Sequence, residues 1–153
     1  MVRASLCYIF SNYFLNNWNL KNCTNYLLFS LFIVTFLIEG NEVYANKAIL
    51  SVRSEYFKVM LYSGGMRESI VSYDDDGKCK PIILNDVSYE VFQKILHYLY
   101  TDAIENLSLD ISIPLMVASE RFMLDRLKSL CEDHIQKQIT VHNVIPIYIS
   151  SYR

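Results

Sequence analysis

The spacing of the hydrophobic residues changes once, abruptly, between Val34 and Leu61, and no other feature constrains the fold as tightly. Val34, Phe36 and Ile38 alternate with Thr35 and Leu37, the pattern of a strand with one buried face. Gly40 and Asn41 follow, and both suit the positive φ values of a tight hairpin turn, so a second short strand is expected to run back from it. From Lys47 onward Ala48, Leu50 and Val52 give way to Tyr56, Phe57, Met60 and Leu61. That second group is spaced i, i+1, i+4, i+5, as on one side of a helix. The chain should therefore pass from a hairpin directly into a pair of helices.

The segments downstream carry their own punctuation. Ser63-Gly-Gly-Met-Arg-Glu-Ser closes the second helix, since paired glycines stop helices, and the acidic run Asp74 to Asp76 with Gly77 marks a solvated loop. Residues 81–86 read as a short strand. Ser88 is placed to cap the next helix, with Val87 and Phe92 as a hydrophobic staple and Phe92, Ile95, Leu96 and Leu99 as its buried stripe. A further helix is expected from about Ile111 to Met123, with Pro114 in its first turn, where the missing N–H costs least. Asp125 is expected to cap a last strong helix in which Leu127, Leu130, Cys131 and Ile135 face inward. Lys128 with Glu132 and Asp133 with Lys137 stand as i, i+4 charge pairs on its outer side.

Composition narrows the function classes. A chain of 153 residues with 52% hydrophobic and 20% charged side chains is one domain's worth with ample material for a core. Its net charge of −2, without a basic stripe, argues against nucleic acid as a direct partner. Cysteines at positions 7, 23, 79 and 131 form neither a CxxC pair nor a regular framework, which fits the reducing cytoplasm or nucleus. Residues 1–32 form an atypical apolar extension, rich in asparagine and aromatic residues. Between Asn22 and Ile38 no residue is charged, yet the run falls short of the ~20 apolar residues that span a bilayer, and its end is claimed by the first strand. A signal peptide is disfavoured because Asn12, Asn16 and Asn17 interrupt the apolar stretch. The alternative to a freely diffusing protein is a membrane-tethered scaffold anchored by this segment.

Five segments, in order, carry a family resemblance: Phe57-Lys-Val-Met-Leu; Gly65-Met-Arg-Glu-Ser; Ile82-Ile-Leu-Asn-Asp-Val-Ser-Tyr-Glu-Val-Phe; Leu96-His-Tyr-Leu-Tyr-Thr-Asp; and Ala118-Ser-Glu-Arg-Phe-Met-Leu-Asp-Arg-Leu-Lys-Ser-Leu-Cys-Glu. Together they resemble the BTB/POZ domain over residues 33–138. The resemblance implies an α+β fold, a helix cluster flanked by a small three-stranded sheet. It also implies a protein-interaction module without catalytic residues or cofactors, working as a homodimer and by holding partners. In family members the first helix region and the stretch before the first strand form the dimer seam, which puts Val34, Phe36 and Leu50 at the seam here.

Two finer implications point in opposite directions. Many family members carry an acid just before the first strand and a His-Lys or His-Arg pair at the exit of the second; this chain has Ile33 and Asn46-Lys47 instead. A charged corepressor groove is therefore not expected, and Lys47 should reach toward water, because burying it unpaired would cost several kcal/mol. Met66-Arg67-Glu68, by contrast, is similar to the hydrophobic-any-Glu triplet of BTB adaptors for cullin-RING ubiquitin ligases. Met66 would be a flexible apolar knob for the partner, Glu68 would orient the contact, and Tyr62 would stand beside them. Residues 139–153 resemble the start of a truncated helical extension of the BACK type, interrupted by Pro146, with no substrate-capturing domain beside it.

Other chemistry is weakly signalled. Cys131 and His134 share a helix face but lack further metal ligands or an orienting carboxylate, so core packing is the expectation. His97 and His142 read as structural or surface residues. The acidic run at 74–76 lacks the spacing of a calcium loop. No set of residues supplies nucleophile, base and oxyanion donors together, so no enzyme is expected.

Overall fold

The computed structural model describes residues 33–63, 80–140 and 144–150. Strands β1 (Ile33–Ile38) and β2 (Asn41–Asn46) form the expected hairpin, with Val34 opposite Ala45 and Phe36 opposite Val43. Val34, Phe36, Ile38, Val43 and Ala45 are buried, so the alternation predicts the inward face correctly. The turn itself sits one residue earlier than expected. Glu39 and Gly40 hold the positive φ values, 49° and 78°, and Asn41 already belongs to β2. A non-glycine residue is tolerated at Glu39 because its side chain is used elsewhere: Oε2 accepts a 3.0 Å hydrogen bond from the Tyr89 backbone N–H.

Asn46 converts strand into helix. Its side-chain oxygen accepts from the backbone of Ala48 and Ile49, at 2.9 and 3.3 Å, capping α1 (Lys47–Arg53), while its own N–H donates to the Tyr100 hydroxyl at 2.8 Å. An asparagine is among the best residues for this role, worth about 1 kcal/mol over alanine. Ser54 alone separates α1 from α2 (Glu55–Tyr62). Strand β3 (Ile82–Ile83) then joins β1 in parallel, giving the sheet order β2-β1-β3. Helices α3 (Tyr89–Thr101), α4 (Leu109–Arg121), α5 (Asp125–Gln138) and α6 (Val144–Ser150) complete the described chain.

Ser88 caps α3 as the sequence predicts, with Val87 and Phe92 both buried beside it. α4 departs from expectation because it starts at Leu109, two residues early, so Pro114 stands sixth in the helix rather than in its first turn. The carbonyl that loses its donor to Pro114 belongs to Asp110, an exposed residue that water reaches. Asp125 does not cap α5. Leu124 holds the cap position, and Asp125 is the first helical residue, where its charge meets the positive end of the helix dipole. Lys128 pairs not with Glu132 but across to Glu120 of α4, at 3.3 Å. In α6, Pro146 lies in the first turn, the position that tolerates a missing donor, so it does not interrupt the helix.

The core is organised around four fully buried phenylalanines, each from a different part of the chain: Phe36 of β1, Phe57 of α2, Phe92 of α3 and Phe122 after α4. Phe57 and Phe122 stack with centroids 5.0 Å apart, while Phe36 meets Phe92 edge-on at 5.1 Å and Tyr56 meets Phe122 edge-on at 5.2 Å. Such pairs add about 0.5–1.5 kcal/mol each beyond the area they bury. This cluster fixes the position of the α1–α2 pair relative to everything else.

Candidate partner-binding surface

The surface that α2 presents is set by the buried Ser54. Its N–H closes α1 onto Leu50 O at 3.0 Å, and its hydroxyl accepts from Phe57 N at 3.3 Å, opening α2. The same hydroxyl donates to the Phe122 carbonyl at 2.7 Å, across 68 residues of sequence. The α1–α2 corner is thereby tied to the turn between α4 and α5. Phe57 and Met60 anchor α2 inward, and Tyr62, its last residue, is 61% exposed. Met66 and Glu68, the residues expected to follow Tyr62 into a partner contact, lie outside the described residues.

The residues expected at a dimer seam lie in the interior of this chain. Val34, Phe36 and Leu50 are buried in the domain's own core, with Phe36 and Leu50 wholly inaccessible. Their alternation and helical spacing encode the inner face of the hairpin and of α1. On α1 the exposed large apolar residue is Val52, at 84% exposure.

Beside Ser54, a charge cluster that sequence reasoning did not single out joins three helices. Asp102 ends α3 in the left-handed conformation, φ 60°, and its carboxylate is bound by Arg53 of α1 and by Arg126 of α5, the latter at 2.5 Å. The hydrogen bond from Arg53 holds the Asp102 carboxyl below its usual range, outweighing burial. Burial first, then Asp102, raises the Tyr98 phenol. The signal available beforehand was Asp102 in Tyr100-Thr-Asp, a residue type that tolerates positive φ at a helix end. Neither arginine could have been assigned to it without the fold. Arg121 lies similarly close to Asp86, 2.7 Å from Oδ2, though off the line of a hydrogen bond.

The Cys131 and His134 pair proves to be packing and hydrogen bonding. Cys131 is fully buried, and burial, reinforced by Glu132, pushes its thiol up to about 11. His134 Nδ1 lies 2.9 Å from the buried Ser112 hydroxyl, which donates back to Ser108 O at 2.6 Å. His97 Nδ1 sits 3.2 Å from the Ala103 carbonyl at the end of α3; His142 and residues 74–76 lie outside the described residues. The raised thiol has a testable sign. Folding keeps Cys131 protonated where the unfolded chain ionises near 9.0, so its contribution to stability is complete below pH 9 and is lost as pH rises toward 11. Native protein at pH 8 should react at Cys131 at least about tenfold more slowly with a thiol reagent than denatured protein, read by mass spectrometry at that residue.

Among the described residues no group of three or more His, Cys, Asp or Glu side chains is arranged to hold a metal, and no helix is long and apolar enough to cross a membrane. Comparison with known proteins identifies the class. A sequence profile of the BTB/POZ domain matches residues 24–139, which makes this a protein–protein interaction module. The chain belongs to the BTB/POZ domain family.

Among its relatives, ARM repeat protein interacting with ABF2 from Arabidopsis thaliana is 31% identical over 115 residues, covering 75% of this chain and 15% of that protein. BTB/POZ and MATH domain-containing protein 6, also from Arabidopsis thaliana, is 30% identical, covering 74% of this chain and 29% of that protein. Protein maternal effect lethal 26 from Caenorhabditis elegans is 27% identical, covering 73% and 26%. The chain thus spans less than a third of the length of these relatives. Two solved structures share the fold at 24% identity. The BTB domain of human gigaxonin aligns with a TM-score of 0.52 over 66% of this chain and 75% of that one. The BTB domain of zebrafish PATZ1 aligns at 0.55 over 71% and 78%.

Proposed function

We propose that this chain is a self-associating BTB module that presents the C-terminal end of α2 to a cullin scaffold, as an adaptor of a cullin-RING ubiquitin ligase in the cytoplasm or nucleus. The observation that supports this reading best is Tyr62, 61% exposed on the last turn of a helix whose other face is locked in the core. A rigid aromatic side chain at that point, four residues before Met66 and six before Glu68, is the kind of anchor from which interface affinity is built. Self-association is supported by Val52, the most exposed large apolar side chain among the described residues at 84%. Relatives whose names join the BTB domain to a MATH domain or describe ARM repeats fit a module that works alongside a second recognition surface.

Light scattering of the purified chain at tens of micromolar, repeated with a purified cullin, tests both parts. A dimeric mass that shifts on adding cullin is expected. Met66→Ala should weaken that binding by about 2 kcal/mol, the loss of a buried anchor, and Glu68→Ala should weaken it while flattening its salt dependence. A monomeric mass would sink the self-association, and no binding at high micromolar concentration would sink the adaptor role.

A further inference from the structure

The inner face of the sheet builds the core, but its outer face is a surface of a different kind. Leu37 of β1 is paired on one side with Ile83 of β3 and on the other with Glu42 of β2. Ile83 is 57% exposed, Leu37 is half-buried and Glu42 is exposed, so an apolar row ends in a carboxylate. Tyr44, on the same face as Glu42, donates its hydroxyl to Glu42 Oε2 at 2.5 Å, which fixes the carboxylate. Glu39, at the hairpin tip, is engaged elsewhere: its Oε2 accepts from Tyr89 N at the start of α3, so Glu42 is the carboxylate of this face. Among the described residues, no lysine or arginine pairs with Glu39 or Glu42.

We propose that this outer sheet face is a docking site for a basic, apolar segment of a partner protein, which seats an aliphatic side chain on Leu37 and Ile83 and a lysine or arginine against Glu42. Charge complementarity selects the occupant. An anionic membrane surface would be repelled by the Glu42 carboxylate. A second copy of this chain, docked symmetrically, would present Thr35, Leu37, Tyr44 and Ile83 from this face but no lysine or arginine to meet Glu42. The site uses no residue of α2, so it stands or falls independently of the cullin reading.

The probe is a short synthetic peptide of alternating leucine and lysine, titrated into isotope-labelled full chain and followed by amide NMR shifts, with the leucine–glutamate counterpart as control. Shifts centred on residues 37–44 and 83 are expected, with binding that weakens as salt rises. Ile83→Thr and Glu42→Lys should each weaken binding about tenfold or more, the equivalent of ~1.4 kcal/mol. Both side chains are exposed, so the fold is retained. Should Ile83→Thr nonetheless disturb the strand, Glu42→Lys decides alone. Equal binding of the glutamate peptide, unchanged affinity of Glu42→Lys, or shifts centred away from the sheet would each overturn the proposal.

Discussion

Phe92→Ala is expected to destabilise the domain by about 3–5 kcal/mol, the range for removing a buried aromatic ring whose cavity cannot fully collapse. Phe92 is wholly inaccessible and meets three other rings, Phe36 at 5.1 Å, Phe122 at 6.1 Å and Phe57 at 6.5 Å. These rings come from a strand, a helix and an interhelix turn, so no single element can shift to fill the void. Against a total stability of about 5–15 kcal/mol for a typical domain, the variant should unfold at a sharply lower urea midpoint with an unchanged slope. A loss below about 1 kcal/mol would mean that the four-phenylalanine cluster is not the centre of the core.

Ser54→Ala comes second, at about 2–4 kcal/mol. The methyl group leaves the Phe57 N–H without its cap, worth about 1 kcal/mol, and leaves the buried Phe122 carbonyl without its donor, worth about 1–3 kcal/mol. A serine that is 3% exposed would ordinarily attract no attention in a sequence. Because its hydroxyl spans from α2 to the α4–α5 turn, the loss should also appear as faster amide exchange at Phe57, near the start of α2, before it appears elsewhere. Ser54→Thr, which keeps the hydroxyl, should recover most of the loss in urea titrations; failure to do so would place the effect in packing rather than in the hydrogen bonds.

The elements with a strong hydrophobic period were legible. Val34, Phe36 and Ile38 announced an inward strand face, and Phe92, Ile95, Leu96 and Leu99 announced the buried side of α3. Ends were read less well, because they are decided by local hydrogen bonds that more than one neighbour can make. Glu39 takes a left-handed turn position that Gly40-Asn41 would fill more comfortably, since the carboxylate is bonded to the backbone of Tyr89. Leu124 rather than Asp125 precedes α5, and α4 begins before its proline has a first turn to occupy.

Surface assignments were harder still. Strong apolarity at Val34, Phe36 and Leu50 signals burial without saying whether the burying partner is the same chain or another, and here it is the same chain. In sequence Asn46-Lys47 is only a departure from the family pattern; in the fold Asn46 caps α1 through both Ala48 and Ile49. The clasp of Arg53, Asp102 and Arg126 was invisible for the opposite reason. Its members are ordinary charged residues whose only distinction is that three helices bring them together.

The order β2-β1-β3 makes the first strand of the sheet in sequence its central one. One edge of β1 is covered almost immediately by the hairpin, but the other waits for Ile82 and Ile83. On a ribosome adding roughly 5–20 residues per second, that edge stays open for several seconds, while Phe36 still lacks Phe92 and Phe122. A strand with an apolar face and an unpaired edge is a template for pairing with any neighbouring chain. The nascent protein is thus at its most vulnerable to misassembly in the interval between the synthesis of α2 and that of β3, well before any mature surface exists to be recognised.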